Sequence, residues 1–215
     1  MQETAAAPGE VSVVGVGTAS GHPDVVRVRL AATVVRPTLA EALTASEDAA
    51  RRVRAELTRF GITGEDAATS ELSAHAEQTW TEQQGSRVVG FRAEHGLVVT
   101  VRDVAAVGPV LGEALIAGGD DVRLNGVGFE VEDPSALRVT ARHLAWLDAR
   151  ARAEQLAALA GRELGEALSV DEPGAFGGGG PSPKLARAMA AGPEMGVEPG
   201  RVSVEVALAV RWALR

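Results

Sequence analysis

The chain has 215 residues, of which 46% are hydrophobic and 23% charged, with a formal net charge of −8. It is long enough to bury a core, and its acidic balance argues against nucleic acid or anionic lipid as the main partner, because both need clustered Lys and Arg. With no cysteine, disulfides, thiol catalysis and thiolate zinc sites are excluded, and no stretch approaches the roughly 18 apolar residues of a membrane-spanning helix.

Residues 10–16 (EVSVVGV) predict a short strand and GTASGHPD a turn. In residues 25–35, Val26, Val28, Leu30, Ala32 and Val34 alternate with Arg27, Arg29 and Thr33, the period of a half-buried strand. The Gly/Pro turn between these strands predicts an antiparallel hairpin. A helix follows over 38–60. Thr38 can cap it, with Glu41 completing a capping box. Leu39, Leu43, Ser46, Ala50, Val53, Leu57 and Phe60 form its apolar stripe. Glu47, Asp48, Arg51, Arg52 and Arg54 take the opposite face, and Gly61 ends the helix. Residues 67–80 read as a weaker strand and TEQQGS as a turn. Residues 87–102 read as a long strand with Val89, Phe91, Ala93, His95, Leu97, Val99 and Val101 on one face.

Residues 104–118 suggest a shorter helix, interrupted near its start by Gly108 and Pro109. The strand in DDVRLNGVGFEVED shifts its apolar parity between Leu124 and Val127, which predicts a bulge near Gly126. A long, Ala-rich helix is expected over 134–163, starting at Pro134 with Asp133 as cap, its face made by Trp146, Ala149, Ala153, Leu156 and Ala160. Residues 166–171 suggest a short strand. The last strand, 201–214, is the most regular: Val202, Val204, Val206, Leu208, Val210, Trp212 and Leu214 are all even-numbered.

The element order is therefore ββαββαβαββ. It predicts an α+β fold, a mixed and mainly antiparallel sheet with long strands and helices on one face, and argues against a doubly wound sheet. A single domain is expected over 10–214, with a disordered N-terminus at 1–9 and a Gly/Pro-rich loop insertion at 173–200.

The chemistry-bearing motifs reduce to structural readings. The glycine run GGGGPSPKL lacks the Ser or Thr that follows Lys in a Walker loop, and its prolines supply no N–H to a phosphate. A flexible loop at 174–182 is expected instead, with 184–191 as a short amphipathic helix. GVGTAS at 15–20 is incomplete as a dinucleotide fingerprint, since Ser20 stands for the third glycine and a strand follows where a helix would be needed. His75 and Glu77 share one side of a strand and could in principle share a metal, but a two-residue match is a weak signal. No nucleophile, base and orienting acid assemble along the chain. No catalytic, cofactor-binding or metal-ligating residue is assigned. The candidate pocket residues, between sheet and helices, are His95, Trp80 and Phe91.

The order of these motifs resembles the SIMPL-domain family of bacterial proteins. The resemblance rests on VSVVGVGTAS leading to HPDVVRVRLAATV, on the helix LAEALTASEDAARRVRAELTRFGI, and on VVGFRAEHGLVVTVRDVAAVGPVLGEALIAGGDDV. It continues through the Ala-rich helix ending in RELGEALSVDE to the closing VEPGRVSVEVALAVRWAL, nearly the whole chain. It implies long strands, ring-like homo-oligomers and a link to oxidative-stress defence and the cell envelope; it carries no catalytic residues. The expectation is a non-enzymatic, self-assembling protein without cofactor, partnered by copies of itself. The alternative is a small-ligand binder or enzyme with a pocket between sheet and helices. No leader is visible in MQETAAAPGE, so a cytoplasmic location is expected as the chain is written, or a periplasmic or secreted one if a leader has been removed.

Overall fold

A computed structural model describes residues 9–81, 85–173 and 200–215. The expected N-terminal disorder and the expected loop at 174–182, with its short helix at 184–191, lie almost wholly outside the described residues. The observed strands and helices follow the predicted order: β1 (Gly9–Gly21), β2 (Val25–Arg36), α1 (Leu39–Arg59), β3 (Ala67–Thr81), β4 (Gly85–Val101), α2 (Val107–Gly118), β5 (Val122–Glu130), α3 (Ser135–Leu159), β6 (Leu164–Asp171) and β7 (Val202–Leu214). The class is α+β. Every strand pairing is antiparallel, and the strands form two sheets, ordered β1-β7-β6 and β3-β4-β2-β5. The backbone divides correspondingly into two units, and each is described by itself.

The first unit comprises β1, α3, β6 and β7. The even-numbered apolar face of β7 is buried from Val204 to Trp212, with Val206, Leu208, Val210 and Trp212 packed with the alanines of α3. Ala141, Ala145, Ala149, Ala153 and Ala157 recur every fourth residue along α3 and are all buried, so the helix lies close to the sheet. The predicted face of α3 is shifted accordingly: Ala149 and Ala153 belong to it, Leu156 is 44% exposed, and the helix stops at Leu159 before Gly161, whose φ is +69°. The closest approach is to β1. A Cβ on Gly15 would stand 2.2 Å from the Ala145 carbonyl oxygen and 2.4 Å from the Ala149 nitrogen, and one on Gly17 would stand 2.1 Å from the Ala141 carbonyl oxygen. The glycines of GVGTAS are therefore packing glycines. Trp146 and Trp212 close one end of this core, ring centroids 5.6 Å apart at 47°.

Two local expectations are corrected here. Residues 17–21, expected as a turn, continue β1, and β1 pairs along its whole length with β7 rather than with β2. The cause is the packing just described: Gly15, Gly17 and Ala19 present their small faces to α3 in strand alternation, so the strand runs on through the glycines. The break comes only at residues 22–24, where Asp24 ties to β5 by donating N–H to the Glu130 carbonyl at 3.0 Å and accepting from the Glu132 N–H at 2.7 Å.

The second unit runs from Pro23 to Glu132. Its sheet buries Val26, Val28 and Leu30 of β2 and Leu97, Val99 and Val101 of β4 against α1 and α2. The bulge predicted near Gly126 is present, as Arg29 opposes Gly126 while Leu30 opposes Leu124. Thr38 caps α1 in a full capping box with Glu41. The buried face of α1 is Ala42, Ser46, Ala49, Ala50, Val53 and Leu57; Leu39, Leu43 and Phe60 of the predicted stripe are about 40% exposed, at or near the helix ends. Pro109 falls in the first turn of α2, where its missing N–H costs nothing. At the other end of α2, Arg52 donates to the carbonyls of Ala117 and Gly118 at 3.0 and 2.9 Å, satisfying acceptors the helix itself leaves open.

Candidate functional site

Among the described residues, the second unit contains one buried titratable side chain that the core does not explain. His95 alternates into the inner face of β4 beside Ala93 and Leu97, which aims its ring at α1, and it is 5% exposed. Its Nε2 lies 3.2 Å from Arg54 Nη2 and 3.3 Å from Thr69 Oγ1, and Arg54 Nη2 also donates to Thr69 Oγ1. Its Nδ1 lies 2.9 Å from Glu47 Oε2. That oxygen is off the N–H axis, so Nδ1 has a close carboxylate but no directed acceptor among the described residues.

Local structure assembles the four groups. Glu47 and Arg54 are seven residues apart on α1, hence on one side two turns apart, with buried Ala50 between them leaving room for the ring. On β3 the register slips between Thr69 and Glu71: Thr69 opposes Leu97 while Leu72 opposes His95. The extra residue is Ser70, whose Oγ comes so close to Gly96 that a Cβ there would stand 2.7 Å from it. Gly96 thus lets the bulge form beside the histidine, and bulges of this kind re-aim side chains.

The chemistry of the cluster follows from its donors. A guanidinium has no acceptor, so where Arg54 meets Nε2 the nitrogen must be the acceptor. The ring is then the Nδ1–H tautomer, its N–H on the side of Glu47. A carboxylate, an imidazole and a hydroxyl in sequence have the composition of a nucleophile relay. Here the base lone pair already accepts from Arg54, so Thr69 is not activated. In this arrangement the cluster organises α1, β3 and β4 around one ring.

The three pocket residues read from the sequence occupy separate places. Phe91 packs with Val34, Ala42, Ala45 and Ala93 in a small apolar cluster. Trp80 is 69% exposed and opposes Ser86 near the end of the β3–β4 hairpin, nine positions along the strand from His95, or about 30 Å. Two shallow depressions, of about 390 and 420 Å³, have other linings: Ser12, Val14, Asp171 and Arg211 among others on the first sheet, and Arg36 of β2 with Glu41, Thr44 and Asp48 of α1. Glu47 and Arg54, placed by periodicity on the solvent face of α1, reach inward instead. The signal available for them was their seven-residue spacing across Ala50, opposite a histidine on an apolar strand face. His75 and Glu77 belong to no group of three or more His, Asp or Glu side chains that could hold a metal among the described residues. Glu77 is held by Arg92 through two bonds of 2.8 and 3.0 Å, and that guanidinium lowers its pKa from the usual carboxylate value.

A second feature is the hairpin itself. β2 ends opposite Phe91, so residues 85–90 of β4 have only β3 for a neighbour among the described residues. Trp80, Val88 and Val89 on this two-stranded ribbon are 69%, 48% and 55% exposed.

The family model of SIMPL, described as a protein of unknown function (DUF541), matches residues 11–212. Two proteins called 26 kDa periplasmic immunogenic protein, from Brucella melitensis and Brucella abortus, are each 28% identical to the chain over 172 residues, which cover 77% of this chain and 67% of theirs.

Proposed function

The chain belongs to the SIMPL family, and on that premise we propose that it is a non-enzymatic protein that assembles with copies of itself and serves the cell envelope in stress protection. The single observation that carries this reading is the β3–β4 ribbon. A two-stranded hairpin is marginal alone in water, and this one extends past its sheet with a tryptophan and two valines exposed. Such a surface is stabilised by a partner that covers it. The relatives named as periplasmic favour the envelope over the cytoplasm. No helix among the described residues is long and apolar enough to cross a membrane. The blocked lone pair of His95 supports the non-enzymatic part of the reading.

The test is solution mass by light scattering behind a sizing column, with negative-stain images of the peak. A discrete particle of many subunits is expected. A monomer at micromolar concentration would overturn self-assembly and turn attention to ligand screens at the two depressions.

A further inference from the structure

We infer that the Asn125–Gly126 peptide of β5 is a self-modification site, where the chain converts its own side-chain amide to a carboxylate with Arg29 as the promoting cation. Asn125 is the only asparagine of the 215 residues, and a glycine follows it. That order matters chemically. Glycine has no Cβ to shield its peptide nitrogen or to restrict the backbone as it turns toward the preceding side chain. A regular strand blocks this turn, because the ladder holds the peptides on both sides. Three features of β5 remove the block. The strand lies at the margin of its sheet, ordered β3-β4-β2-β5, so its far side has no strand neighbour among the described residues. Leu124 opposes Leu30 and Gly126 opposes Arg29, so Asn125 is the extra residue of the bulge, without a partner on β2. The Asn125 side chain is also exposed. A fourth feature supplies the charge. The Arg29 guanidinium lies over Gly126, where a Cβ would stand 3.5 Å from Nη2 and 3.8 Å from Nε. Neighbouring Arg27 is paired with Glu130 at 2.9 Å, whereas Arg29 makes no ion pair among the described residues.

The reaction needs water alone. Hydroxide takes the proton from the Gly126 nitrogen, which attacks Cγ of Asn125. The N–Cγ bond forms, the Cγ–Nδ2 bond breaks, and Nδ2 leaves as ammonia with a proton from water. One water then opens the resulting cyclic imide at either carbonyl. Opening at Cγ leaves an aspartate. Opening at the main-chain carbonyl leaves an isoaspartate, with the backbone now routed through the side chain. Nothing is oxidised or reduced. A guanidinium beside the peptide favours both the nitrogen anion that attacks and the oxyanion that develops on Cγ. Either product adds one negative charge to a chain of net charge −8 and places it next to the unpaired Arg29. The isoaspartyl product also lengthens the main chain of β5 by a methylene, at the bulge where its register against β2 already shifts. Ammonia is lost to solvent, so the change runs one way and marks how long each molecule has existed.

The experiment is incubation of the full chain at pH 8, folded and in parallel unfolded in urea, with the peptide that carries residue 125 followed by mass spectrometry. The parent and Arg29→Met are compared, with Arg29→Lys as the variant that keeps the charge. The folded parent should lose the Asn125 amide at least as fast as the unfolded parent. Arg29→Met should slow the folded chain by about tenfold, the effect of removing one neighbouring charge from an anionic step. It should leave the unfolded rate unchanged, and Arg29→Lys should restore most of the folded rate. An asparagine–glycine pair that reacts by its sequence alone would show the same rate in parent and variant in both states. That result would overturn the role of Arg29. An amide that survives in the folded parent while the unfolded parent loses it would overturn the site itself. Should Arg29→Met fail to fold, the comparison of folded with unfolded parent decides the site, and Arg29→Lys against the parent decides whether the charge at that position is enough.

Discussion

At Gly15 and Gly17 a single hydrogen in place of a methyl group sets the distance between a helix and a strand. The atoms that a Cβ would meet are backbone atoms of α3, which cannot rotate aside as a side chain can. Gly15→Ala should therefore destabilise the protein by about 3 kcal/mol, at the upper end of overpacking costs, as measured by urea unfolding; Gly21→Ala, with only the side chain of Leu137 within reach at 3.3 Å, should cost far less. Next to these glycines, Asp148 of α3 accepts the Val16 N–H at 2.9 Å, and Arg152 donates to the Val14 carbonyl at 3.1 Å. The helix thus occupies part of the free edge of β1, a common protection for an edge strand. The Val16 N–H and then Arg152 hold the Asp148 carboxyl below its usual pKa. A carboxyl lowered on folding stabilises the native state above its unfolded pKa, and that contribution fades as the pH falls through the folded value. Asp148→Ala should accordingly show a shallower loss of stability than the parent as the pH falls below about 4. Parallel acid titrations of unfolding free energy would check this.

At the scale of elements, helix ends were the most legible part of the sequence because their signals are local. Thr38 and Glu41 form the capping box that their spacing announces, and Gly61 takes the positive φ of +76° expected of a helix stop. Thr38→Ala should cost about 1 kcal/mol. Arg52→Ala, which frees the carbonyls at the end of α2, should cost about as much; both are read from chemical denaturation. The strands at 25–35 and 201–214 were legible because one face is wet and one dry. What could not be read was pairing. Alternation fixes which face of a strand is buried but not its neighbour, and the partner of β1 is not the adjacent β2 but a strand nearly two hundred residues away. The His95 cluster was half legible for the same reason. A histidine on an apolar face is visible in sequence, whereas Glu47 and Arg54 look like ordinary solvated charges until the helix is docked against β4. Thr69 depends on a bulge that no residue pattern at 67–72 announces.

At the scale of the whole molecule, the ribbon that extends beyond β2 is the natural place to separate assembly from folding. Trp80 contributes little to either core, being 69% exposed, so Trp80→Ser should leave the melting temperature within about 2 °C of the parent. If the ribbon is covered by another copy, the same change should reduce the particle mass in light scattering; an unchanged mass with unchanged stability would remove the ribbon from the proposed interface.

The pairing of β1 with β7 also sets an order of events in synthesis. All four strands of the second sheet have left the ribosome once Glu130 has, and their antiparallel pairings are complete within the chain already made. β1, although made first, has no strand to pair with until residues 202–214 emerge. A nascent chain can thus carry one finished sheet and one waiting strand while residues 131–201 are being made. Closing that long loop comes last among the described pairings, so the first sheet is completed only once residues 202–214 have emerged, and a chain stalled before them would still display β1 unpaired.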